Sequence, residues 1–225
     1  MSNPFNGKNL FIDFDSTFVK VETIDELASV SLQNDPDKDT KINLIKSITN
    51  QAMSGEIDFP TALEKRLEIL SLDLNQINLI TDKISTLISD SFKKNKKLIK
   101  QHAEHIWIIS GGFTQIIIPI VKEYGIKSSH VIANTFTIDG NRVTGCEKSN
   151  PLFKDRGKIH AIKSIKVEGK TIMIGDGYTD LEVYLENASD YFIYYSENVK
   201  RDKVISQSEL IANSFDEVLQ IISKI

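Results

Sequence analysis

Two aspartates, Asp13 and Asp15, stand two apart in Asp13-Phe14-Asp15-Ser16-Thr17, at the end of an apolar run over residues 9–14. In extended chain, alternate side chains share a side. Two carboxylates brought together this way repel unless a cation lies between them or one keeps its proton. A second element, Ser110-Gly111-Gly112, follows the apolar run 105–109 and precedes text of helical period. That places a hydroxyl and unhindered backbone N–H groups at an expected helix N-terminus, which is an anion site by geometry. A third, Gly175-Asp176-Gly177-Tyr178-Thr179-Asp180, sets two more carboxylates after the run 171–174. Taken singly, each has an ordinary reading as a solvated acidic pair, a plain N-cap or an acidic loop. Taken together they ask for a hard divalent cation and a phosphate: carboxylate oxygens suit Mg²⁺, and donors around Ser110 suit phosphoryl oxygens.

The elements that carry these groups are short apolar strands that stop at small or acidic residues and lead into helical periodicity. Such βα units build a mostly parallel sheet, with ligands bound outside the carboxyl ends of its strands, so the three polar tips should converge. Between the first and second strands lie about ninety residues of helical text, far more than a crossover helix needs. Residues 41–53 carry Ile42, Leu44, Ile45, Ile48, Ala52 and Met53 near helical spacing, and 59–72 carry Leu63, Leu67, Ile69 and Leu70, with Pro60 suited to a first turn. Residues 73–100 read as one or two helices returning to the sheet. The expected architecture is an α/β, Rossmann-like three-layer core with a mostly parallel sheet (residues 1–22 and 83–225) and a small inserted helical cap (residues 23–82). Further along, the sequence predicts a helix over 113–124 closed by Gly125, a hairpin over 131–143 turning at Asp139-Gly140-Asn141, a buried strand over 191–195 and an amphipathic helix over 215–225.

Composition sets the class. The 225 residues carry 27 Lys+Arg against 31 Asp+Glu, a formal charge of −4, and 40% are hydrophobic. This describes a globular protein and excludes disordered, collagen-like and disulfide-scaffold classes. The single cysteine, Cys146, has no internal partner, which fits the cytoplasm. No run approaches a membrane span, and residues 1–10 lack the features of a signal peptide, so a membrane partner is not expected. The acidic balance argues against nucleic acid; Lys93, Lys94, Lys96, Lys97 and Lys100 read as the solvated end of a helix. His102, His105 and Trp107 read as structural.

In order along the chain, DFDST at 13–17, SGG at 110–112, a basic residue near 156–158 and GDGYTD at 175–180 resemble the four motifs of haloacid-dehalogenase-like phosphatases. More narrowly, ETIDELA at 22–28 followed by Met53, Phe59 and Lys65-Arg66 resembles the phosphoserine phosphatase family.

The resemblance implies that Asp13 attacks phosphorus and becomes an aspartyl phosphate, and that Asp15 protonates the leaving oxygen and then activates water. It implies Mg²⁺ as cofactor, held by Asp13, Asp15 through its backbone carbonyl, and Asp176, with Thr179 and Asp180 supporting the metal shell. Ser110, Gly111 and Gly112 would grip phosphate oxygens. The phosphate-bridging cation falls at Arg156 or Lys158; helical spacing after it and the point-charge chemistry of lysine favour Lys158. For L-phosphoserine, Glu22 would meet the ammonium and Arg66 the carboxylate, with Met53 and Phe59 as the apolar wall. The implied partner is a small phosphate monoester, and the implied pathway serine biosynthesis. The alternatives are transfer of the phosphoryl group to another hydroxyl such as homoserine, a different small ester, or a non-catalytic phosphate-binding module.

Overall fold

The computed structural model describes residues 3–54 and 56–225, and of residues 53 and 54 the backbone alone. The first strand, β1 (Lys8–Ile12), is followed by α1 (Thr23–Ser31), α2 (Lys38–Ser54), α3 (Phe59–Ile69), α4 (Leu74–Thr86), α5 (Asp90–Lys94) and α6 (Lys96–Gln101). Next come β2 (Ile106–Phe113), α7 (Thr114–Lys122), β3 (Val131–Asn134), β4 (Phe136–Asp139) and β5 (Arg142–Cys146). The chain closes with α8 (Gly157–Ser164), β6 (Lys170–Gly175), α9 (Tyr178–Leu185), β7 (Tyr191–Tyr195), α10 (Asp202–Ile205), β8 (Leu210–Ala212) and α11 (Phe215–Ile222).

Six strands form one parallel sheet in the order β3-β2-β1-β6-β7-β8. Its strands are apolar on both faces because helices cover both. Leu10, Ile12, Ile106, Ile108, Ile172 and Ile174 belong to one core, while Phe11, Ile109, Met173 and Phe192 belong to the other. From β1 the chain winds outward in one direction through β2 and β3 and in the other through β6, β7 and β8. The switch point therefore lies at β1, flanked by the strands that carry the glycine-rich and second acidic motifs.

The inserted helices start and stop where local chemistry directs. Asp58 caps α3 by accepting Thr61 N–H at 2.8 Å, with Pro60 in the first turn. Asp73 and Gln76 form a reciprocal capping box at α4. α2 packs on α1 and α3, and α4 packs on both α1 and α7. Asp82, the expected last residue of the insertion, lies within α4.

Two expectations are corrected. Residues 131–134 are not a hairpin arm but an edge strand of the main sheet; the hairpin is β4–β5, with Asp139 opposite Arg142. The glycines Gly111 and Gly112 do not open a helix. β2 continues to Phe113, and Ser110 and Phe113 pair with consecutive residues Ala133 and Asn134, so the glycines bulge out of the ladder before α7 begins.

Contacts at His102, Trp107 and the lysine cluster lie away from the strand tips. His102 stacks on Phe5, Trp107 on His130, and Lys94 and Lys96 pair with Asp216 and Glu123. Among the described residues no helix is long and apolar enough to cross a membrane.

Candidate active site

The carboxyl ends of β1, β2 and β6 open into a cavity of about 880 Å³, counting its mouth, roofed by α1, α2 and α3. Asp13, Asp15, Glu22, Phe59, Arg66, Gly111, Gly112, Lys158, Asp176, Thr179 and Asp180 all line it. Ser110 is fully buried, and its hydroxyl accepts Gly112 N–H at 3.0 Å, which braces the bulge. The Met53 side chain lies outside the described residues.

Asp13 follows β1 directly, and its N–H still donates to Ile174 O at 2.9 Å, so the sheet fixes its backbone. Phe14 N–H donates to Asp13 Oδ1 at 2.7 Å, leaving Oδ2 for Lys158, whose Nζ is 3.0 Å away. The same ammonium donates to Asp180 Oδ1 at 2.6 Å. Burial works against the charge on Lys158, but Asp13 and Asp180 more than offset it and hold the group above the usual lysine range. Arg156, the other candidate in this stretch, instead pairs with Glu182 and Glu186 on and just beyond α9.

Asp176 is 3% exposed and is held from two sides, by the Thr17 hydroxyl at 3.1 Å and by Arg201 Nε at 2.8 Å. Asp180 lies in the first turn of α9 and accepts Gly177 N–H at 3.1 Å. It can fold back only because residue 175 is glycine: a Cβ there would lie 2.3 Å from Asp180 Cγ. Burial first, and then the neighbouring Asp13 and Asp176 against the opposing pull of Lys158, push Asp180 up to about 7.

Asp13, Asp176 and Asp180 each offer an oxygen within 4.8 Å of the others, all buried. Five cavity-lining carboxylates, Asp13, Asp15, Glu22, Asp176 and Asp180, face Lys158, Arg66 and Arg201. The excess of buried negative charge and the all-oxygen donor set fit a hard divalent cation.

Asp15 accepts Thr23 N–H at 3.0 Å and the Thr23 hydroxyl on the same oxygen. Burial, then the charges of Glu22 and Asp13, raise its carboxyl well above the usual range despite those bonds. A carboxylic acid that retains its proton near neutrality can serve as a proton donor and, once ionised, as a base.

Glu22 precedes α1, takes the Ser16 hydroxyl at 2.7 Å and is pushed up to about 7 by burial and by Asp176. Arg66, on α3, is 6% exposed. Its Nε donates to Ala62 O at 3.0 Å and its Nη1 to Thr49 Oγ1 at 3.3 Å, an anchorage that fixes the guanidinium as it lines the cavity. Phe59 lies against the bulge: a Cβ on Gly111 would meet its Cζ at 2.8 Å.

Three contributors escaped the sequence. Arg201, in the segment after β7, bridges Asp176 and, at 3.4 Å, Glu22. Thr23 holds Asp15, and Thr49 holds Arg66. The two threonines lie within helical text that offers no chemical signal, and Arg201 stands 25 residues beyond its partner.

A switch-point cavity that joins buried carboxylates, a lysine and a glycine bulge defines a hydrolase of phosphate esters built on a Rossmann-like core. The chain belongs to the haloacid dehalogenase-like hydrolases, whose family profile matches residues 10–184. It is similar to phosphoserine phosphatase of Drosophila melanogaster, 32% identical over 213 residues that span 92% of this chain and 75% of the fly protein. It is 28% identical over 219 residues to phosphoserine phosphatase of Homo sapiens, covering 96% of this chain and 93% of the human one. Among solved structures, a phosphoserine phosphohydrolase-like protein from Francisella tularensis subsp. tularensis SCHU S4 superposes with a TM-score of 0.83 at 31% identity, covering 96% of this chain and 99% of that one. The activity class is phosphoric monoester hydrolysis.

Proposed function

We propose that the chain is a Mg²⁺-dependent phosphoserine phosphatase that converts O-phospho-L-serine and water to L-serine and phosphate through an aspartyl phosphate. The observation that carries this reading is that one cavity presents a phosphate end, Asp13, Lys158 and the Gly111–Gly112 bulge, and an amino-acid end, Glu22 and Arg66. A zwitterionic head needs one fixed anion and one fixed cation, and a buried, anchored arginine suits a carboxylate.

In this reading Asp13 supplies the nucleophilic oxygen: its bond to phosphorus forms as the bond from phosphorus to the ester oxygen breaks. Lys158 holds that carboxylate and neutralises phosphoryl charge. Asp15 gives its proton to the departing serine oxygen, then takes one from the water that cleaves the aspartyl phosphate. The Gly111 N–H, taken out of the ladder by the bulge, meets a phosphoryl oxygen, while the Gly112 N–H is held by the Ser110 hydroxyl. Asp13, Asp176 and the Asp15 carbonyl would hold Mg²⁺, with Asp180 and Thr179 in support, and the ion would supply charge neutralisation between nucleophile and phosphate. Residues 23–82 act as a cap that excludes bulk water, and Phe59 on Gly111 is the contact by which it meets the bulge. The relatives' names, the likeness in architecture and the reducing-compartment chemistry of a lone buried Cys146 are consistent with a cytoplasmic enzyme of serine formation.

The test is phosphate release from L-phosphoserine, O-phosphothreonine, phosphoethanolamine, glycerol phosphate and an aryl phosphate, with Mg²⁺ or EDTA, and with Asp13→Asn as control. Metal-dependent turnover strongly biased to L-phosphoserine and lost in Asp13→Asn is the expected result. Unbiased turnover would discard the named substrate and keep the phosphatase; turnover by Asp13→Asn would overturn the nucleophile.

A further inference from the structure

The chain leaves the sheet for the inserted helices through residues 16–20 and returns through 87–91, and the two crossings are laced together. Val19 bridges Ile88 in antiparallel register, Lys20 N–H donates to Leu87 O at 2.8 Å, and Ser89 N–H donates to Phe18 O at 3.0 Å. The Ser89 hydroxyl adds a bond to Thr17 O at 2.7 Å.

A third segment, residues 196–201 after β7, closes over both crossings. Asn198 Nδ2 lies 2.7 Å from Ser89 Oγ, 3.1 Å from Ser16 O, 3.2 Å from Thr17 O and 3.4 Å from Val19 O. Its two N–H groups are thus shared between the outgoing and the returning chain. The segment is itself held on either side of Asn198. Glu197 accepts Ser91 N–H at 3.0 Å, and Arg201 reaches Asp176 at 2.8 Å.

The outgoing turn needs holding. Ser16 has φ = 52°, a left-handed conformation that is uncommon for a residue with a Cβ. Its N–H donates to Val21 O at 3.1 Å and its hydroxyl to Glu22 at 2.7 Å. The left-handed turn at Ser16 therefore sets where the chain reverses between Asp15 and the Glu22–Thr23 pair, and Thr23 in turn holds Asp15. Asn198 is half-buried and does not line the cavity.

We infer that Asn198 is a positioning residue for the reaction, one that fixes Asp15 by clamping the strained Ser16 turn against the returning chain. The inference rests on the proposed function for its catalytic consequence and on the geometry alone for the clamp. Loss of the amide donors frees the Ser16 peptide to leave the left-handed region, and Asp15 then loses its alignment with the leaving oxygen. A displacement of this kind is costly in rate even when nothing that touches substrate has changed. The loss must also depend on how much the leaving group needs a proton.

The experiment compares Asn198→Ala and the near-isosteric Asn198→Asp, which keeps size and removes the donors, with the full-length wild type. The readouts are amide hydrogen exchange, thermal midpoint, and kinetics on an alkyl and an aryl phosphate. Both variants are expected to exchange faster over residues 14–22 with β1 unchanged. They should also lose kcat/KM on the alkyl ester by about tenfold or more, with a distinctly smaller loss on the aryl ester. In a Ser16→Gly background, where φ > 0 needs no clamp, replacing Asn198 should cost less. Unchanged exchange, an equal loss on both esters at a lowered thermal midpoint, or the same cost in both backgrounds would overturn the inference. If the wild type turned over no ester, the proposed function would fail, while the exchange data would still decide whether Asn198 is the clamp.

Discussion

Lys158 reaches Asp13 across the cavity, Nζ to Oδ2 at 3.0 Å, from the first turn of a helix that belongs to a different βα unit. The pair ties the carboxyl end of β1 to α8, and the same ammonium ties both to α9 through Asp180. One cation therefore sets the spacing of two of the three buried aspartates that could hold a metal. Lys158→Ala should lower kcat by roughly 10²–10³, the usual cost of removing one preorganised electrostatic donor. Lys158→Arg should restore it only in part, because the larger planar guanidinium has to fit a buried site whose 2.6 and 3.0 Å contacts are set by a compact ammonium. Steady-state kinetics on one phosphate ester checks both.

Asp15 makes a different demand. In the first step its raised carboxyl matters only where the leaving oxygen needs a proton, so Asp15→Asn should cost about 10²–10⁴ in kcat/KM, which reports that step, on an alkyl phosphate and markedly less on a nitrophenyl phosphate, whose leaving group departs as the anion. Equal losses in kcat/KM on the two esters would remove Asp15 from the acid role and leave it the base for the hydrolytic water or a structural group beside Thr23.

Much of this site was legible because parallel strands end abruptly: apolar runs that stop at Asp13, Ser110 and Asp176 announce where side chains leave the sheet. The bulge was not. Two glycines after a buried serine read equally as a helix start, and only the pairing of Ser110 and Phe113 with consecutive residues of β3 distinguishes the two. The edge strand β3 reads as a hairpin arm for a related reason, since Val131–Asn134 runs almost without a break into β4 and the text between carries no turn residue. Arg201 and Asn198 left no trace because their partners lie 25 and 182 positions away, at separations that no local pattern encodes.

Substrate choice should divide between Arg66 and Glu22. Arg66→Ala should raise KM for L-phosphoserine by about 30-fold or more, the scale of losing a buried charge-paired hydrogen bond, and leave phosphoethanolamine, which has no carboxylate, nearly unaffected. Glu22→Gln should weaken both, because both carry the ammonium. Thr49→Val should reproduce a milder version of the Arg66 loss, since it removes the hydroxyl that receives Nη1. A KM panel over the two esters and three variants reads the pattern, and a parallel loss on both esters in Arg66→Ala would separate Arg66 from carboxylate recognition.

The buried carboxylates also fix how stability responds to pH. Asp180 and Glu22 are each pushed up to about 7, burial being the largest cause in both, from ordinary values near 3.8 and 4.5. Between those ordinary values and about 7 the folded chain binds more protons than the unfolded one. The stability these groups confer is therefore present at low pH and lost as pH rises through their folded values. Surface carboxylates whose values are lowered by their hydrogen bonds, such as Asp35, Asp58 and Asp90, titrate below this window and do not offset it. In EDTA the thermal midpoint should fall from pH 5 to pH 8. Mg²⁺ should raise it little at pH 5 and clearly at pH 8, because a cation competes with protons for the same oxygens. Asp180→Asn should flatten the slope in EDTA and shrink the Mg²⁺ response together. Calorimetry across that range with and without the ion measures both, and a midpoint that rises with pH in EDTA would show that Asp180 and Glu22 are ionised in the folded chain without a metal.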